Sequence, residues 1–262
     1  MTSVTRAADY LLLSCEHAGN RIPPAYAPLF RGADALLATH RGWDPGAYVL
    51  ARFLAKRLRR PLHAVTWSRL FVEANRAAHN PRIWSRFTRA LPEAERAEIL
   101  ARYWWPHRSK VEAAVTEAAR VARVVHVAVH SFTPELDGHV RNADVGLLYD
   151  SRRPREASLC RRWGEILARV APDLRVRYNY PYRGNADGLG TWLRQRHPAA
   201  RYLGIEIEIN QALVGTRGWR ALQERIAASL GELMHSVQGE RGGDFSASRR
   251  TADGASYEHT QQ

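Results

Sequence analysis

The chain has 262 residues, of which 45% are hydrophobic and 25% are charged, and its mean hydropathy is −0.42. These values are typical of a globular protein and exclude a collagen-like or wholly disordered chain. No apolar run approaches the roughly 18 residues of a membrane span, and the stretch from Tyr10 to Cys15 is too short for a signal-peptide core. Cys15 and Cys160 are the only cysteines, which argues against a disulfide scaffold and predicts a cytoplasmic protein.

The net charge of +13 and the pI near 10.5 raise the question of a nucleic-acid partner. The basic residues are almost all arginines, are scattered along the chain and are interleaved with acidic residues such as Glu93, Glu95 and Glu98. No zinc-finger spacing, RNA-recognition signature or continuous basic arm accompanies them. The pattern therefore favours a solvated, arginine-rich surface, with nucleic-acid binding as the alternative.

Strands and helices alternate along the sequence. Apolar runs predict strands at 10–15, 61–66, 69–73, 124–130, 145–149, 174–178 and 202–209. Helical spacing predicts helices at 45–60, 92–123, 155–171, 187–196 and 217–237, the second of them broken or kinked at Pro106. The alternation predicts one three-layer α/β/α domain with a mixed, mostly parallel sheet over residues 8–238. The composition of residues 239–262, rich in Gly, Ser and Arg, predicts a disordered tail.

Polar residues stand directly after several predicted strands, where ligands bind in α/β sheets. Glu16 and His17 follow the first strand, and carboxylate and imidazole are good Zn²⁺ ligands; a loop or capping role is the alternative for His17. Asp44 precedes the first long helix, where it could cap the helix N-terminus or serve a metal or catalytic site. His130 ends the strongest predicted strand, whereas His126, four residues earlier, is interpreted as a buried structural side chain.

Two further clusters contain charged groups suited to a substrate. Asn75 and Arg76 follow a short predicted strand, and a guanidinium with a neighbouring amide can bind a carboxylate; a surface arginine is the alternative. Glu206 and Glu208 lie two residues apart in the last strand, so they share one face of the sheet. Two carboxylates on an inward-facing surface indicate a site, unless this is an edge strand with one face in water.

In this order, the clusters and their neighbours resemble the N-formylglutamate amidohydrolase family, which is itself similar to the zinc carboxypeptidases. The motifs are SCEHAGNRIP, HRGWDPGA, EANR, the Trp105-Pro106-His107 segment, AVHSFTP, VRNADVGLLYD, YNYPYRGNADG and EIEINQ. The resemblance implies a phosphorylase/hydrolase-like fold of the zinc carboxypeptidase type. It also implies a metal-dependent hydrolase of non-peptide amide bonds that serves amino-acid catabolism.

The resemblance implies roles for the metal-binding residues. His17 and His130 correspond to the two imidazole ligands of one Zn²⁺ ion, although another divalent metal would also suit them. The carboxypeptidases take a third ligand from a Glu three residues after the first His, where this chain has Asn20. Asp44 and Glu16 are the candidates for that ligand, and Asp44 is preferred because it can approach from a second loop.

The resemblance extends to the residues around the metal. Asn75 and Arg76 correspond to the pair that binds the terminal carboxylate of the substrate. Glu208 corresponds to the general base, with Glu206 as the alternative because the register of this strand is open.

Two later segments supply weaker candidates. Arg141 is expected to contact the substrate or the oxyanion, and Tyr182 or Tyr180 to donate a hydrogen bond. The expected reaction is zinc-dependent hydrolysis of a small anionic partner, an N-acyl acidic amino acid such as N-formylglutamate. The same mechanism on another N-acyl amino acid or a small peptide is one alternative, and a non-catalytic nucleic-acid-binding protein is the other.

Overall fold

A six-stranded sheet lies at the centre of the computed structural model, which describes residues 9–243 and the side chains of residues 9–236. The strands are β1 (Tyr10–Cys15), β2 (Leu62–Ala64), β3 (Val124–Phe132), β4 (Glu135–Leu136), β5 (His139–Val140), β6 (Val145–Leu148), β7 (Val176–Tyr178) and β8 (Tyr202–Asn210). Their order across the sheet is β2-β1-β3-β8-β6-β7, and β4 pairs with β5 in a separate hairpin. Only the β6–β8 pairing within the sheet is antiparallel, which confirms the predicted mixed, mostly parallel arrangement.

Helices cover both faces of the sheet. They are α1 (Asp34–Leu37), α2 (Ala47–Leu58), α3 (Glu93–Ile99), α4 (Trp105–Val121), α5 (Pro154–Val170), α6 (Leu189–Arg196) and α7 (Trp219–Gly243). The buried side chains of α2, α5 and α7 pack together on one face, and those of α4 and α6 pack on the other. Two helical layers around one sheet confirm the predicted three-layer α/β/α fold.

The two faces of the sheet differ in polarity because side chains alternate along each strand. Val125, Val127 and Val129 of β3 belong to the larger apolar core, beside α2. The alternate residues of β3, among them His126 and His130, lie on the face that α4 and α6 cover. This second face becomes polar toward the carboxyl ends of β1, β3 and β8, and there the sheet leaves room for a site.

The predicted strand at 69–73 is wrong. The Ser68 carbonyl accepts hydrogen bonds from the backbone N–H groups of Phe71 and Val72, at 2.9 and 3.3 Å, so the chain makes a turn there. Phe71 and Val72 are both buried in a second apolar cluster. Their burial explains why this stretch is apolar. The apolar residues belong to a packed turn rather than to an extended strand.

The irregularity predicted at Pro106 takes the form of a π-helical turn. This turn, Leu100–Trp104, joins α3 to α4, and the N–H of Trp105 donates to the carbonyl of Leu100. Pro106 has no N–H and lies in the first turn of α4, where none is needed. The helical path therefore continues through the segment with one widened turn, a feature often found at functional sites.

The last helix extends to Gly243, five residues beyond the predicted end of the domain at 238. The rest of the segment expected to be a disordered tail, residues 244–262, lies outside the described residues. No helix between residues 9 and 243 is long and apolar enough to cross a lipid bilayer.

His126 is buried, as the sequence predicted, and its two ring nitrogens hydrogen-bond to Ser14 Oγ at 2.7 Å and Tyr202 Oη at 2.8 Å. Burial lowers the pKa of His126 to about 4, whereas the ordinary value is 6.5. As the pH falls between these values, the unfolded chain binds a proton that the folded protein does not. This costs about 1.4 kcal/mol of unfolding free energy per pH unit, or about 3 kcal/mol in all.

His126→Gln keeps hydrogen-bonding groups but removes this titration. We expect the unfolding free energy of the variant, relative to the wild type, to rise by about 3 kcal/mol between about pH 7 and pH 4. Urea unfolding of both proteins in the presence of a chelator measures the difference at each pH. If the difference in unfolding free energy stayed constant between pH 7 and pH 4, His126 would have the same pKa in the folded and unfolded states.

Candidate active site

The carboxyl ends of β1, β3 and β8 meet three loops around a cavity of about 280 Å³. One loop precedes α2, the second is the turn that follows β2, and the third joins β7 to α6. The cavity is lined mainly by charged and hydrogen-bonding side chains: His17, Asp44, Arg69, Glu73, Asn75, Arg76, His130, Ser131, Tyr182, Arg183, Asp187, Glu206 and Glu208. Most of the residues that the sequence singled out therefore lie in one place.

Two histidines and one aspartate form a compact group in this cavity. Asp44 Oδ2 lies 3.2 Å from His17 Nδ1 and 2.9 Å from His130 Nδ1. All three side chains are buried, and their ligand atoms lie within 4.8 Å of one another. Imidazole and carboxylate in this number suit a Zn²⁺ ion that keeps a fourth position open, so the donor set fits the metal that the sequence implied.

The other ring nitrogens of the two histidines also face carboxylates. His17 Nε2 donates a short hydrogen bond to Glu73, and His130 Nε2 donates to Glu16 Oε2 at 3.1 Å. With Nε2–H donating outward, Nδ1 is the ring nitrogen that faces Asp44 and that a metal ion would use. Glu16, the alternative to Asp44 as a ligand, therefore lies behind His130 rather than beside the Nδ1 atoms.

Arg69 compensates the buried carboxylates. Its guanidinium donates to Glu73 Oε2 at 2.8 Å and to Asp44 Oδ1 at 3.2 Å. Burial would raise the pKa of both carboxyls, but Arg69 and His17 act in the opposite direction and hold these pKa values well below the ordinary range. Burial likewise opposes protonation of His130, yet hydrogen bonds to Asp44 and Glu16 raise its pKa. The carboxylates around the two histidines therefore favour positive charge at this position.

The loop around Asp44 is tied to both neighbouring strands. The Asp44 N–H donates to the His17 carbonyl at 3.1 Å, and Ser131 Oγ donates to the Pro45 carbonyl at 2.7 Å. The N-cap of α2 is Gly46, in the left-handed region at φ 83°, and no side chain caps the helix. Asp44 does not therefore serve as the helix cap, and its carboxylate is free to face the histidines.

Asn75 and Arg76 are held by the start of α6 and the segment before it. Asn75 Oδ1 accepts from the Leu189 N–H at 2.8 Å, and Arg76 Nη1 donates to the Asp187 carbonyl at 2.7 Å. These contacts leave the amide nitrogen of Asn75 and most N–H groups of Arg76 without a partner among the described residues. The pair can therefore bind a carboxylate in the cavity.

The pairing of β3 with β8 fixes the positions of the two glutamates. Glu208 is the register partner of His130, and Glu206 is that of Ala128, two pairs farther from the strand ends. Glu208 is buried, and its Oε2 has no hydrogen-bond partner in the described part of the chain. Burial raises the pKa of Glu208 to about 8, and burial also raises that of the partly buried Glu206. Glu208 is the better placed of the two to act beside the histidines.

The remaining candidates lie at the rim. Tyr182 lines the cavity and is 43% exposed. Arg141 is not among the described residues that line the cavity. Its Nη1 donates to Tyr182 Oη at 2.9 Å, so Arg141 contacts the site only through Tyr182. Tyr180 contacts the guanidinium of Arg177 instead. Tyr182 is therefore the tyrosine that the structure brings to the site.

Sequence reasoning missed four charged residues of the cavity wall, namely Arg69, Glu73, Arg183 and Asp187. Arg69 lay in the misassigned strand, and Glu73 stood beside Asn75 in the EANR motif without a role of its own. Arg183, next to Tyr182, lines the cavity and forms no hydrogen bond or ion pair through its guanidinium with any described residue. The signal for Arg183 was its place in the YNYPYRGNADG motif, one residue beyond Tyr182.

A family model decides the relationship. The model described as N-formylglutamate amidohydrolase matches residues 10–215. The chain belongs to this family. Its members hydrolyse amide C–N bonds, so the chain is a hydrolase of that class, and the resemblance read from the sequence is confirmed.

Two solved structures are similar along nearly the whole chain. The gene product Atu2144 from Agrobacterium tumefaciens is 31% identical, has a TM-score of 0.73, and is matched over 90% of this chain and 93% of its own. The N-formylglutamate amidohydrolase from Ralstonia eutropha JMP134 is 21% identical, has a TM-score of 0.67, and is matched over 90% and 97%. At that identity the second likeness speaks for the fold alone. No curated protein matches the chain.

Proposed function

We propose that the chain is a zinc-dependent amidohydrolase of N-acyl acidic amino acids such as N-formylglutamate. The observation that carries the proposal is the position of Glu208. It is the register partner of His130, and it lines one cavity with the group formed by His17, Asp44 and His130. A buried carboxylate with a free oxygen beside a group that could hold a metal ion suits metal-assisted hydrolysis of an amide.

His17, Asp44 and His130 would hold the ion, through the two Nδ1 atoms and a carboxylate oxygen. Zn²⁺ bound there would polarise an amide carbonyl and make water more acidic. The two imidazoles already carry outward hydrogen bonds to Glu73 and Glu16, which orient the rings. Such bonds to the outer nitrogen are the usual support of a zinc-binding histidine.

Glu208 would move the protons of the reaction. Hydrolysis adds water to the acyl carbon, breaks the C–N bond, and releases the acid and the free amino acid. Glu208 in its carboxylate form would accept a proton from the attacking water and pass it to the leaving nitrogen. Because burial raises the pKa of Glu208 to about 8, the group can keep the proton between these two transfers near neutral pH.

The cavity offers two guanidinium groups that lack a carboxylate partner among the described residues. Arg76, with Asn75, would bind one carboxylate of the substrate, and Arg183 would bind the second. Arg69 is not available for this purpose, because Glu73 and Asp44 already occupy its guanidinium. Two free cations in one cavity support an acidic amino acid as the leaving group.

The two cysteines, Cys15 and Cys160, are buried and free, which suits a reducing compartment. We infer that the enzyme acts in the cytoplasm on a small soluble substrate.

The test of the proposed function combines metal analysis with activity. We expect purified protein to bind about one zinc ion per chain and to hydrolyse N-formylglutamate to formate and glutamate. His17→Ala and His130→Ala should each lose more than the 10–100-fold in metal affinity that outer partners typically contribute. His235→Ala is the matched control, because His235 is exposed on α7, in the opposite helical layer.

Two outcomes would count against the proposal. If the wild type bound no zinc and both variants matched it in hydrolysis, the metal site would be refuted. If zinc bound but a panel of N-acyl amino acids and small peptides showed hydrolysis only of a substrate lacking an acidic side chain, the substrate class would be wrong.

Arg183 gives a sharper test of the substrate class. Arg183→Gln should raise the KM for N-formylglutamate by about 10–100-fold, because a charge-assisted hydrogen bond contributes about 1.5–3 kcal/mol. The KM for N-formylglutamine, which lacks the side-chain charge, should change little. Steady-state kinetics of wild type, Arg183→Gln and Arg183→Lys on both substrates measures the effect. An equal change for the two substrates would show that Arg183 does not recognise the side-chain carboxylate.

A further inference from the structure

A second carboxylate–histidine contact lies behind the cavity. Glu16 is completely enclosed, at 1% exposure, and uses both of its oxygens. Oε2 accepts from His130 Nε2 and Oε1 accepts from His107 Nε2, each at 3.1 Å. The carboxylate is thus fixed between two imidazoles, one of them outside the cavity described above.

The backbone brings these residues together from two separate elements. β1 ends at Cys15, and the next two residues diverge, so that His17 faces the cavity while Glu16 faces α4. His107 lies in the first turn of α4, directly after the π-helical turn Leu100–Trp104. A widened turn shifts the helix positions that follow it, and here it precedes the residue that reaches Glu16.

The two histidines of the metal-binding group differ in what supports their outer carboxylate. Glu73, behind His17, is anchored by the guanidinium of Arg69. Glu16, behind His130, has no arginine or lysine within hydrogen-bond distance among the described residues, and its second oxygen depends on His107. Loss of His107 would leave a buried oxygen unpaired and the carboxylate free to turn.

We propose that Glu16 and His107 form a positioning pair that orients the ring of His130, so that its Nδ1 presents a lone pair beside Asp44. Neither residue touches the substrate. The pair acts through His130, and its relevance to catalysis rests on the proposed function. The orientation itself is a property of the folded chain and is measurable as metal affinity in the absence of substrate.

The experiment measures zinc affinity by competition with a chromogenic chelator and compares three variants of the full chain. His107→Ala should weaken zinc binding by about 10–100-fold, the range found for outer hydrogen-bond partners. His107→Gln should recover part of the loss, because its amide can donate to Glu16. His63→Ala is the matched control. His63 and His107 both line a second cavity, beside β2 and α4, but His63 has no hydrogen bond to Glu16.

A second pair of readouts separates positioning from general damage to the fold. The absorption spectrum of the Co²⁺-substituted protein should change in His107→Ala and return toward that of the wild type in His107→Gln. With saturating zinc, kcat for N-formylglutamate should fall while KM stays the same, since the substrate-binding arginines are untouched.

The outcomes distinguish this inference from the proposed function. If the wild type binds no zinc, the proposed function fails with it. If the wild type binds zinc and His107→Ala has the affinity and Co²⁺ spectrum of His63→Ala, the positioning pair is refuted while the metal site stands. If His107→Ala does not fold, Glu16→Gln carries the test, and zinc affinity unchanged from the wild type would overturn the inference.

Discussion

The carboxylate of Asp44 is the contact on which the site depends, because a single oxygen faces the Nδ1 atoms of two histidines from different strands. His17 follows β1, His130 belongs to β3, and the loop that carries Asp44 is tied to both. Parallel strands have their carboxyl ends at the same edge of the sheet. Residues that follow β1 and β3 therefore lie close to the Asp44 loop. Each histidine is then held from outside by a second carboxylate.

Neighbouring side chains, rather than the overall positive charge of the chain, offset the free-energy cost of burying these carboxylates. Arg69 donates to two of them, and the histidines donate to the rest. Where no such partner exists, as at Glu208 Oε2, burial raises the pKa instead. One cavity therefore contains carboxylates with lowered pKa values, Asp44 and Glu73, next to two with raised values, Glu206 and Glu208. Opposite shifts of this kind are the pattern expected where metal-binding and proton-transferring groups are neighbours.

The sequence was informative wherever a periodic pattern controls geometry. Alternation along β8 was enough to predict that Glu206 and Glu208 share a face, and the order of strands and helices was enough to predict the three-layer α/β/α domain. The positions of Glu16 and Asp44 relative to the Nδ1 atoms needed the structure, because adjacent residues after a strand end can diverge, as Glu16 and His17 do. Arg69 was not predicted as a site residue, because its apolar neighbours, Phe71 and Val72, gave a strand-like sequence pattern although they pack in a turn. His107 was visible only as part of a motif, since its partner lies 91 residues away.

The most direct test of the account is a crystal structure of the zinc-loaded protein with anomalous data at the zinc absorption edge. The account predicts one anomalous peak, about 2.0–2.1 Å from the Nδ1 atoms of His17 and His130 and about 2.0–2.2 Å from a carboxylate oxygen of Asp44. Glu16 should remain bonded to Nε2 of His130, outside the coordination sphere. A zinc ion bound through an Nε2 atom or through Glu16, or located away from this group, would contradict the central claim.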